Sequence, residues 1–210
     1  MPKLLGAKSA PVMTTTGILK STEMEGDMSA LEISLLRHPL SVPADDVAGL
    51  VNRVYREAER GLWQDDIPRT TPAELTGLVA AGEIAAARDA GEIVGVVRVQ
   101  RLGDGVGEFA MLACDPAHRG KGVGSALVAF AEEHSARSGC HTMQLELLTP
   151  TGWTHPAKEF LRTWYSRIGY APVRVAQFSD DYPELAPHIA TPCEYTIYHK
   201  KLSGQGHGGR

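Results

Sequence analysis

Leu112-Ala113-Cys114-Asp115-Pro116-Ala117-His118-Arg119-Gly120-Lys121-Gly122-Val123-Gly124-Ser125 joins an apolar strand to a helix through a turn holding three glycines. A strand ending against a helix start aims several unpaired backbone N–H groups, and the positive end of the helix dipole, at one spot. Glycine removes the Cβ that would keep a bulky anion at a distance. Arg119 and Lys121 add charge-assisted donors suited to phosphate. The stretch therefore reads as an anion cradle, or as a glycine-rich turn with no ligand. Two nucleotide motifs fail here. A P-loop needs Ser or Thr after Gly-Lys, where Gly122 stands, and a dinucleotide GxGxxG starting at Gly122 needs glycine where Leu127 stands.

Outward from this turn, elements alternate. Ile33–Leu36 reads as a short strand. Ala44-Asp45-Asp46 opens a helix with Val47, Leu50, Val51, Val54 and Ala58 at helical spacing and carboxylates in its first turn. Thr71-Pro72-Ala73-Glu74 has the form of a capping box with proline at the first helical position. Strands are expected at 84–89, 93–100 and 107–114, joined by Asp89-Ala90-Gly91 and Gly103-Asp104-Gly105 into an antiparallel meander. A helix over 122–138 should bury Val123, Leu127, Phe130 and Ala131. A strand over 142–148, a helix over 156–168 stopped by Gly169, and strands over 173–178 and 194–199 complete the order. The result is an α/β (α+β) domain, a mixed sheet with helices on its faces.

Composition narrows the function. With 43% apolar and 22% charged residues the chain has material for one core, read as a single domain over 31–202. Residues 1–30 read as a flexible leader and 203–210 as a flexible tail. A net charge of −4 with interspersed signs and no basic patch argues against nucleic acid as a partner. No apolar run reaches the roughly 20 residues that span a bilayer, and no signal peptide is evident, so a cytoplasmic protein off the membrane is expected. Three scattered cysteines form no CxxC pair, and the histidines show no HxxxH or HExxH spacing, so no metal site is expected.

Arg119-Gly120-Lys121-Gly122-Val123-Gly124 resembles the Q/R-x-x-G-x-G/A signature of the GNAT N-acetyltransferases, and Leu112–Pro116 resembles the strand end that leads into it. The likeness extends over about residues 32–200. It implies the GNAT fold, a mostly antiparallel sheet of six or seven strands flanked by about four helices. It also implies acetyl-CoA as acetyl donor, an amine of unspecified identity as acceptor, and direct transfer in a ternary complex. The donor would lie where the fourth and fifth strands diverge, its pyrophosphate on the backbone of 119–124, with Ser125 at the helix start. Leu112, Ala113 and Cys114 would pair with the pantetheine arm. A homodimer also fits the family.

Phe160–Tyr170 resembles the family's Leu-Tyr-x-Lys-x-Gly-Phe segment, which makes Tyr165 the candidate acid that protonates the CoA sulfur; the other reading is a ring packed on the sheet. The family's asparagine seven residues earlier is replaced by Lys158, expected to point to solvent in preference to a phosphate. Glu108 resembles the base of the histone-acetyltransferase branch and, by alternation, shares a face with Leu112; a solvated glutamate is the other reading. Glu146 is the reserve base. Trp63, Asp65 and Asp66 lie where the family walls its acceptor site, or form a solvated loop. A covalent role for Cys114 lacks supporting His or Asn spacing, and His155 is assigned to a helix start. A non-catalytic acyl-CoA sensor of the same fold is the rival, and a longer acyl donor a variant.

Overall fold

A computed structural model describes residues 31–202 except 41, 65 and 66, so Asp65, Asp66, the leader and the tail lie outside the described residues. The strands are β1 (Glu32–Leu35), β2 (Ile84–Asp89), β3 (Glu92–Gly103), β4 (Val106–Cys114), β5 (Thr142–Pro150), β6 (Ala171–Ala176) and β7 (Cys193–Lys201). The helices are α1 (Ala44–Ala58), α2 (Pro72–Ala80), α3 (Val123–Arg137), α4 (Pro156–Arg167) and a short α5 (Phe178–Asp181). Seven strands form one sheet in the order β1-β2-β3-β4-β5-β7-β6. Every neighbouring pair is antiparallel except β4 and β5, which run parallel.

Local chemistry explains most boundaries. The five apolar positions that define α1's stripe are all buried. Thr71 Oγ1 accepts the Glu74 N–H at 3.1 Å, as a cap should, but the Glu74 carboxylate takes the Thr70 hydroxyl at 3.2 Å. The β2–β3 turn places both Ala90 and Gly91 at positive φ, as tight hairpins require. Along α3, Val123, Leu127 and Ala131 are buried, whereas Phe130 is only half-buried and stacks on His134. Phe178, expected to end a strand, instead begins α5, because β6 stops at Ala176.

Two features of the sheet place the site. First, β4 and β5 pair only at Val106↔Thr142, Gly107↔Met143 and Glu108↔Gln144, after which they part and β5 continues with β7. Second, Arg98 pairs with Ala110 but Val96 with Ala113, so β4 carries one extra residue, and Met111 sits at a φ of 48°. This bulge breaks the alternation that would have put Glu108 and Leu112 on one face. It also stores backbone strain beside the gap. Gly95 lets α3 start hard against the sheet: a Cβ there would lie 2.9 Å from Val123 Cγ1 and 3.0 Å from the Ala113 carbonyl oxygen.

Candidate active site

The turn after β4 opens on a cavity of about 210 Å³. Cys114, Arg119, Gly120, Gly122, Val123, Gly124 and Ser125 line it, opposite Val54 and Ala58 of α1 and Phe160, Trp164 and Arg167 of α4. Gly120 and Gly122 both have φ near 80°, a conformation that costs glycine nothing. Among the described residues, the N–H groups of Gly120, Gly122, Val123, Gly124 and Ser125 donate to no other backbone group; those of Arg119 and Lys121 close the turn onto Pro116 and His118 at 3.2 Å each. Five of the seven amides from 119 to 125 are thus left free, with a fifteen-residue helix behind them.

Not every expected member faces this cavity. Lys121 turns away to Asp89, 3.9 Å off, and Leu112 and Ala113 are buried within β4. From residue 109 on, β4 has no strand partner on its β5 side. The contributions of α1 and of Phe160 and Arg167 had no sequence signal beyond helical periodicity.

Tyr165 is not among the residues lining the cavity: it follows Trp164 on α4 and is fully buried, its ring packed at 5.0 Å from Trp164, 5.9 Å from Phe109 and 6.1 Å from Tyr170. Its hydroxyl has no hydrogen-bond partner and lies within electrostatic reach of the Cys114 thiol. Burial raises the pKa of both groups, that of Cys114 to about 12, so the thiol is protonated at neutral pH and no nucleophile. An unpaired buried hydroxyl is costly unless something comes to use it.

On the other face of the sheet Glu108 and Glu146 are both buried. Gln144 Nε2 joins them, donating to Glu108 Oε1 at 3.1 Å and to Glu146 Oε1 at 3.4 Å. Gln100 donates to Glu108 Oε2 and the Tyr182 hydroxyl to Glu146 Oε2. The solvated reading of Glu108 does not hold. Phe178, Tyr182 and Tyr195 pack over the pair with ring centroids 4.7–5.9 Å apart, and Trp63 leans on Phe178 at 6.0 Å. An antiparallel bridge, Trp63↔Ile189, ties the segment after α1 to the segment before β7.

Lys158 is buried, contrary to the expectation of solvent. Its Nζ meets Glu59 Oε1 at 2.7 Å, and Glu59 Oε2 accepts from Arg69 at 2.8 Å and from Trp63 Nε1 at 2.8 Å. Burial alone would raise the Glu59 pKa, but Arg69 and Lys158 outweigh it and hold the carboxyl ionised. The cluster locks the end of α1 to the start of α4, the two walls of the cavity. Lys158→Met leaves Glu59 with Arg69 and Trp63 but one charged contact short, and should destabilise the chain by about 1–3 kcal/mol. The midpoint of a urea unfolding curve measures it; an unchanged midpoint would mean the contact is energetically idle. His155 precedes α4, as its assignment to a helix start required, with Nδ1 buried and unpartnered.

A mixed sheet split between parallel β4 and β5, with a glycine cradle at the split, is the arrangement that the resemblance to the GNAT fold implies. The family model described as "Acetyltransferase (GNAT) family" matches residues 50–164, from within α1 to the residue before Tyr165. This chain belongs to the GNAT acetyltransferase family. Solved structures agree on the fold at low identity. The PaiA N-acetyltransferase of Thermoplasma acidophilum, in complex with coenzyme A, is 13% identical with a TM-score of 0.61, over 82% of this chain and 99% of that one. An aminoglycoside 6′-N-acetyltransferase complexed with coenzyme A is 18% identical with a TM-score of 0.61, over 82% and 97%. The N-acetylglutamate synthase of Neisseria gonorrhoeae is 15% identical with a TM-score of 0.57, but this chain spans only 35% of its length. A search of curated proteins finds no match. Among the described residues no helix is long and apolar enough to cross a membrane, and no group of three His, Cys, Asp or Glu could hold a metal.

Proposed function

We propose that this protein is an acetyl-CoA-dependent N-acetyltransferase that moves the acetyl group directly to a primary amine of a small molecule or peptide. The observation that carries this reading is the set of free amides at Gly120 and 122–125 facing the cavity between α1 and α4. Those amides, with Arg119 and Arg167 on the rim, suit a diphosphate. Coenzyme A bound in the neighbouring folds supports the same ligand here.

The donor supplies an activated acetyl thioester. The chain's part is to align it and manage protons, and holding two reactants in line is worth effective molarities on the order of 10⁵ M or more. The unpaired edge of β4 past Glu108 offers main-chain groups to the pantetheine arm. Tyr165, its hydroxyl unpaired beside Cys114, would give a proton to the departing sulfur. The acidic pair Glu108 and Glu146 would take the proton that the amine must lose. Trp63 and the aromatic cluster over this pair would wall the acceptor.

A free-thiol release screen tests the proposal, with acetyl-CoA as donor against panels of polyamines, aminoglycosides, amino acids and peptides. Thiol release with at least one amine is expected. Clear acetyl-CoA binding with no release from any amine would instead support a non-catalytic sensor.

A further inference from the structure

Glu108 and Glu146 are both buried, but their surroundings differ. Glu108 stands at the last paired position before β4 and β5 part. Both its oxygens are occupied by amide donors, Gln100 on Oε2 and Gln144 on Oε1. Gln100 is steadied by Arg98 at 2.8 Å, and Arg98 by Glu83 at 2.7 Å. Such donors favour the charged form of Glu108 and leave it little room for a further proton. Glu146 lies two residues beyond Gln144 on β5, on the same face and past the last pair with β4. Its Oε2 accepts the Tyr182 hydroxyl, the Tyr195 hydroxyl and Glu108 also bear on the carboxyl, and the contact from Gln144 to Oε1 is long at 3.4 Å. A carboxylate with a long amide contact on Oε1 therefore stands beside the parted strands.

We infer that Glu146, rather than Glu108, takes the proton of the acceptor amine, and that Tyr182 is a positioning residue that fixes its carboxylate beside the gap. The inference rests on the acetyltransferase reading. In the step, an N–H bond of the ammonium breaks, its proton goes to Glu146 Oε1 and the electron pair stays on nitrogen. The products are a neutral amine and a carboxylic acid.

The groups facing Glu146 are Glu108 from β4, Asp181 at the end of α5 and Tyr182 just after it, and Tyr195 from β7, with His199 of β7 reaching it through Gln144. Burial is the larger influence and the Glu108 charge the next. Together they push Glu146 up to about 7, against the pull of the Tyr182 hydroxyl. Burial raises Glu108 too, but Gln100 and Gln144 oppose it. The two carboxyls titrate as a pair: burial raises both, and negative charge on Glu108 raises Glu146 further, into the range of proton transfer near neutral pH. Tyr182 owes its position to α5 and the stacked Phe178, 4.7 Å away.

Two readouts on the full chain test this: ¹³C NMR titration of the protein labelled at its glutamate carboxyls, and kcat/KM against pH for thiol release with acetyl-CoA and the fastest-reacting amine of the panel. A carboxyl titrating near pH 7 should vanish in Glu146→Gln, move to lower pH in Glu108→Gln as a like charge is removed, and move to higher pH in Tyr182→Phe as a donor to the carboxylate is lost. The rising limb of kcat/KM should follow the same shifts, with Glu146→Gln losing about 10²-fold at pH 7 and Glu108→Gln clearly less. Loss of that titration in Glu108→Gln, or a larger activity loss there than in Glu146→Gln, overturns the inference. Should Glu146→Gln fail to fold, Tyr182→Phe, which changes no charge, decides: a limb that stays in place overturns it. Wild-type protein releasing no thiol from any amine overturns the acetyltransferase reading and this inference with it. Release that depends on Glu108 alone overturns only the inference.

Discussion

Gly122→Asp is expected to weaken acetyl-CoA binding severely while the fold survives. Gly122 lines the cavity at a φ of 78°, caps α3, and has open space where a Cβ would stand. Aspartate tolerates this backbone conformation better than most residues, so the backbone cost is modest. The carboxylate, however, would stand where the free amides converge. It would meet a diphosphate with like charge and occupy the helix N-terminus itself. Like-charge juxtaposition in a binding site costs several kcal/mol, so the Kd for acetyl-CoA should rise on the order of 10²-fold or more. Gly122→Asn separates charge from shape: it has the same size and backbone demand but no charge, and should lose much less. Isothermal titration of both variants checks this. Equal affinity of Gly122→Asp and wild type, with matching circular dichroism, would remove the diphosphate from this turn.

Tyr165→Phe should lower kcat by about 10²-fold or more, in the range of a lost general acid, with little change in KM for acetyl-CoA. The same substitution should leave the melting temperature unchanged or raise it. In the free protein the hydroxyl is fully buried without a partner, and removing an unsatisfied polar group relieves a cost. A purely structural tyrosine would behave differently, because its loss would then be felt in stability and not in turnover. Burial keeps the phenol protonated well above neutral pH, as a proton donor to sulfur requires. Turnover within about twofold of wild type would show that the chemistry does not depend on this hydroxyl.

Much of this architecture was legible because its signals are local. Gly120, Gly122 and Gly124 sit close together between an apolar strand and a periodic helix, and the Thr71 cap and the Ala90-Gly91 turn act over three or four residues. What escaped notice depends on distant partners. Lys158 reads as a solvent-facing lysine because Glu59, which buries it, lies 99 positions away. Glu108 and Glu146 were each visible as candidates, yet their meeting through Gln144 depends on the register of two strands joined by α3. The bulge at Met111 places a non-glycine residue at positive φ, for which side-chain chemistry leaves no mark. The segment holding α5 and the Trp63↔Ile189 bridge is too short and irregular to show a period, so Phe178 read as strand and Tyr182 went unremarked.

Amide spectra of ¹⁵N-labelled protein titrated with acetyl-CoA interrogate the cradle itself. The largest shifts, and slowed hydrogen exchange, should fall on the backbone N–H groups of Gly120, Gly122, Val123, Gly124 and Ser125. Saturation that leaves those five resonances in place while moving others would contradict the account at its root.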